Sequence, residues 1–93
     1  DPRERRELLA RMYLRRGFLE SAADEWIAVC LELPDPAALV GLAQVAVARG
    51  FDADALGFVE EALSLDPADA EAVRLAAALE RRESARTQAA PAA

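Results

Sequence analysis

Side chains able to do chemistry are sparse in this chain. Its 93 residues include 17 acidic side chains, one Cys and no His. Without His the usual general base and the most frequent metal ligand are both missing. Cys30 stands between Val29 and Leu31 in an apolar stretch, an environment for a small buried hydrophobe rather than an activated thiolate. Neither Cys30 nor any Ser falls in a triad or a nucleophile-elbow pattern. Gly41, Gly50 and Gly57 are too far apart to cradle a phosphate. Glu60 and Glu61 pair two carboxylates, but on a helix such a pair reads as solvated surface. Trp26 reads as core bulk rather than a ligand platform. The expectation is a non-enzyme without cofactor or metal.

Charge narrows the partners. The net charge of −6 opposes nucleic acid, which requires a basic field. The distribution is uneven, because residues 1–16 hold six Arg against Asp1, Glu4 and Glu7. A lone Cys cannot form an internal disulfide, and no targeting segment is visible, so a cytoplasmic location is expected.

The elements that position these residues read as helices throughout. Strong helix formers dominate, and all 11 basic residues are Arg, so the expected class is all-α. The stretch Pro36 to Arg49 is apolar or small on every side, with Gln44 its one polar residue before Arg49. A helix of that kind is buried nearly all round, and it is too short to insert in a membrane. Asp1-Pro2 opens a first helix ending at Gly17, and a second runs over 19–33. Pro34-Asp35-Pro36 separates it from the third, which ends at Gly50. A fourth covers 52–65, and a fifth 68–82. Residues 84–93 lack periodicity and read as a disordered tail.

A fixed offset of 33 residues takes Gly17-Phe18 onto Gly50-Phe51, Leu9-Ala10 onto Leu42-Ala43, Ala22 onto Ala55 and Pro34 onto Pro67. One more step takes Leu42-Ala43 onto Leu75-Ala76. The unit is therefore a helix pair, present at 3–34 and 35–67, with a fifth helix at 68–83 closing the open end of the second.

This pattern resembles the tetratricopeptide repeat. Leu9, Ala10, Tyr13, Gly17, Ala22, Trp26 and Pro34 match it in the first unit, and Leu42, Ala43, Gly50, Ala55, Ala62 and Pro67 in the second. The departures are Arg6 and Leu39 at the opening aromatic position and Val29 for a usual Ala. The resemblance implies a right-handed α-solenoid of stacked antiparallel helix pairs, five helices in all, acting as a protein-interaction scaffold. It also implies a concave groove lined by the first helix of each pair, here by Glu7, Arg11, Leu14, Arg15, Val40, Gln44, Val47, Val73 and Ala77. The implied occupant is an apolar or amphipathic peptide or helix of a partner protein. Alternatives are a second copy of the chain, giving a homodimer, and an accessory role beside an enzyme in a longer polypeptide. Glutamates at Val40 and Val47 are expected to abolish binding while leaving the helices intact.

Overall fold

Two glycines set the turns of the fold. Gly17 and Gly50 hold φ of 82° and 83°, a left-handed conformation that a Cβ disfavours. At each, the next residue's N–H closes the helix end: Phe18 donates to the Tyr13 carbonyl at 2.9 Å, and Phe51 to the Ala46 carbonyl at 2.8 Å. These are Schellman-type caps. Each Gly-Phe turn reverses the chain, so α1 (Pro2–Arg16) pairs with α2 (Leu19–Glu32), and α3 (Pro36–Ala48) pairs with α4 (Asp52–Leu65). A fifth helix, α5 (Ala70–Ala89), follows. The computed structural model describes residues 1–89, and among them every element is a helix.

Aspartates fix the starts of α1, α3 and α5, whereas α2 and α4 begin at Phe18 and Phe51 without a side-chain cap. Asp1 caps α1 through the Arg3 N–H at 3.0 Å, and Asp35 caps α3 through the Ala38 N–H at 2.8 Å. Asp69 accepts from the Ala72 N–H at 3.0 Å, each satisfying a donor that the helix leaves unpaired. Asp35 also receives Arg3, whose guanidinium lies 2.6 Å from its Oδ2 and donates to the Leu33 carbonyl at 2.8 Å. That arginine ties the start of α1 to the link between the two pairs, and the hydrogen bond to Asp35 holds its pKa above the ordinary value.

The order of packing follows the chain. α3 lies centrally, packed chiefly on α4 and α2 and touching α1 and α5. Eight of its 13 residues are buried, as an all-apolar helix requires. One strip escapes: Ala37, Gln44 and Ala48 are exposed. The core divides at α3. One cluster joins Ala10, Ala22, Trp26, Val29, Ala38, Leu42 and Val45, and the other joins residues of α3 to α4 and α5. Cys30 and Phe58 border both.

Trp26 is 2% exposed and packs against the backbone of α3 at Gly41. A Cβ on Gly41 would fall 2.6 Å from the indole Nε1 and closer still to two ring carbons. The glycine is what lets the second helix of the first unit approach the first helix of the next. The indole thus serves the junction between units as well as the pair that carries it.

The C-terminal segment differs from expectation. α5 begins at Ala70, because Asp66 to Asp69 form a turn closed by the Asp69 N–H on the Asp66 carbonyl at 3.1 Å. It then continues to Ala89, so residues 84–89 are helix rather than tail, and 90–93 lie outside the described residues. Nothing from Ser84 to Ala89 breaks a helix, and Arg86 pairs with Glu83 at 2.6 Å. Arg82 and Arg86 also reach Asp52, at 3.1 and 3.5 Å, drawing α5 onto the start of α4. Among the described residues no helix is long and apolar enough to cross a membrane.

Candidate partner-binding groove

The exposed strip of α3 forms the floor of a groove. Between α1 and α3 a cavity of about 310 Å³ is lined by Leu8, Arg11, Leu14, Arg15 and Gln44. Between α3 and α5 a second, of about 360 Å³, is lined by Gln44, Glu71, Arg74, Leu75 and Ala78. Gln44 lines both, so the two hollows meet at that side chain and together form a channel-like surface across three helices. Its floor is apolar where Leu14 and Leu75 reach in from the core. Its rim carries Arg11, Arg15 and Arg74 against one carboxylate, Glu71, a lining that is net basic on a chain of net charge −6.

Sequence reasoning placed nine residues here, and the structure gathers four of them: Arg11, Leu14, Arg15 and Gln44 line the first hollow. Glu7 sits beside them, its carboxylate held between Arg3 at 3.5 Å and Arg11 at 4.0 Å. Arg11 in turn stands 5.6 Å from the centroid of the Trp26 ring, a cation–π distance. Val47 is half-buried against the core.

Three assignments need correction. Val40 is 2% exposed and belongs to the core, so it lines nothing. Val73 is 46% exposed, and neither it nor Ala77 lines the hollow beside Gln44. Ala77 instead lines a shallow hollow made by α5 alone, with Glu80 and Arg81. The physical reason is positional. Glu7, Val40 and Val73 are equivalent under the 33-residue offset, but only α3 is flanked by packed helices on both sides.

No family model, curated protein or solved structure matches the chain. The groove is therefore read on its own geometry. It offers no nucleophile and no buried acid–base pair. Its resources are apolar surface, a side-chain amide that can both donate and accept, and guanidinium donors.

Two features were missed from the sequence. The contribution of α5 comes from Glu71, Arg74, Leu75 and Ala78, a neighbouring strip of the helix surface, and the spacing of Leu75 from Leu42 is the signal that points to it. The second is a cleft of about 240 Å³ on the other side, between α2 and α4, whose apolar walls include Ile27, Val45, Phe51 and Phe58. Ile27 and Phe51 are 45% and 53% exposed. Phe51 repeats Phe18 at the 33-residue offset, which marks it as a turn residue and hides its place on the cleft. Cys30 is partly buried at the border of the two core clusters, and desolvation pushes its thiol pKa up, which favours the protonated sulfur.

Proposed function

We propose that the protein is a tetratricopeptide-type interaction module, a right-handed solenoid of two helix pairs and a closing helix. Its channel across α1, α3 and α5 takes an apolar or amphipathic segment of another protein. The observation that carries this reading is the position of Gln44, the exposed polar residue of a mostly buried helix, shared by both hollows. A helix whose remaining surface is packed gains nothing in stability from keeping that strip open. An uncovered channel with an apolar floor is the usual mark of a docking surface.

The experiment is a selection of peptides from a random library against the purified chain, followed by affinity measurements on Gln44→Trp. The indole would fill the junction of the two hollows without touching the core. Selected peptides should lose at least about tenfold in affinity, or about 1.4 kcal/mol, with circular dichroism unchanged. Peptides that bind the variant as they bind the parent would place recognition elsewhere and sink the proposal.

A further inference from the structure

The 33-residue duplication allows one helix to be compared with another. Leu8, Leu9 and Met12 of α1 fall at the register of Gly41, Leu42 and Val45 of α3. In α3 that side is buried, with Leu42 and Val45 packed among Trp26 and Val29 of the helix before it. In α5 the leucine of the same register, Leu75, again packs on the core shared with α4. In α1 the side is open. Leu8 is 65% exposed, Leu9 and Met12 are half-buried, and none of the three joins either core cluster.

Charge gives the chemistry of what covers it. The helices that cover this register in α3 and α5 are α2 and α4, and each carries four acidic residues and no basic one. The open side of α1 is flanked by Arg5 and Arg16, neither of which makes an ion pair among the described residues. We propose that this side of α1 docks an acidic amphipathic helix of a partner protein, seated as α2 sits on α3, with its carboxylates toward Arg5 and Arg16. Leu8 stands where Gly41 admits an indole, so the incoming helix presents a small or β-branched residue there. α4 does the same with Val59, its counterpart of Trp26. A second copy is the poorer occupant. Symmetric pairing of this face would set arginines against arginines, and the acidic helices of a second copy already spend their apolar stripes on α3 and α5.

This surface adjoins the channel at Gln44, sharing Leu8 at its edge, and the test separates the two. The probe is a fluorescent, hydrocarbon-stapled peptide with the α4 sequence, residues 52–65, stapled because a free helix of 14 residues is marginal in water. Titration against the full chain at low salt should show saturable binding. Arg5→Glu and Met12→Glu should each weaken it at least about tenfold, added salt should weaken it further, and Gln44→Trp should leave it unchanged. Circular dichroism confirms that each variant is folded. Absence of saturable binding to the parent chain overturns the proposal. So does binding that Gln44→Trp removes and Met12→Glu spares, which places the peptide in the channel. A parent dimer in sedimentation that Met12→Glu dissociates also overturns it, because a second copy then covers the face.

Discussion

Replacing Gly41 by Ala sets two effects of opposite sign against each other. Ala is favoured over Gly inside a helix by about 0.8–1.0 kcal/mol, so propensity alone predicts a more stable protein. The structure predicts the reverse. The new Cβ would meet the indole of Trp26 at 2.6 Å or less, where ordinary contact is 3.4–4 Å, so α2 and α3 must part by most of an ångström. The ring cannot swing aside, since it is 2% exposed and packed among Ala10, Ala22, Val29 and Leu42. Overpacking of this kind costs about 1–3 kcal/mol, and a ring against rigid backbone belongs at the upper end. The net expectation is a loss of about 2 kcal/mol, a large share of the ~5–14 kcal/mol typical for a chain this long. Urea unfolding followed by far-UV circular dichroism should show the midpoint fall by about 1 M. Gly57→Ala is the control. Gly57 lies inside α4, and a Cβ there would meet no atom within 4 Å, so at this position the gain of about 0.5–1 kcal/mol should appear. Combining Gly41→Ala with Trp26→Leu should be less harmful than the two losses added. A Gly41→Ala protein as stable as its parent, or strict additivity in the double variant, would refute the reasoning.

Three further outcomes are expected. Val40→Glu buries an unpaired carboxylate in the core and should unfold the domain, whereas Gln44→Glu, one turn along on the exposed strip, should leave far-UV ellipticity unchanged. Asp35→Ala removes both the α3 cap and the acceptor for Arg3, and should lower stability by about 1–2 kcal/mol in chemical denaturation, nearly all of it from the cap, because the ion pair is partly solvent-screened. Cys30 should alkylate several-fold more slowly than a cysteine in an unfolded peptide at mildly alkaline pH, since its raised pKa depletes the thiolate; the gap should close once denaturant is added.

The helices were readable because their punctuation is physical. Gly17 and Gly50 supply the positive φ that the turns require, and Asp35-Pro36 marks a cap and first turn wherever it occurs. The all-helical class and the starts of α1 to α4 follow from such residues. The end of α5 did not, because an Ala-rich run carries no stop signal before Pro91. The channel was half readable. Polar Arg11, Arg15 and Gln44 contrast with apolar neighbours and so reveal their side of the helix. Val40 does not, because α3 is apolar in every direction and periodicity then gives no bearing. Transferring one face by the 33-residue offset assumed that every unit has the same neighbours. Val40 at 2% and Val73 at 46% exposure measure how far that assumption fails at an end. The seat of Trp26 on Gly41 was hidden for another reason: it joins residues of different units, and one sequence records no such pairing.

Because the chain's sole tryptophan spans the seam between the first and second units, its emission reports on their decoupling rather than on helix content. In a nearest-neighbour stack, adjoining units can separate before either loses its own hydrogen bonds. Fluorescence that changes at lower denaturant than ellipticity would then reveal a state with helices intact and the seam open, and coincident curves would mean that the stack melts as one cooperative body.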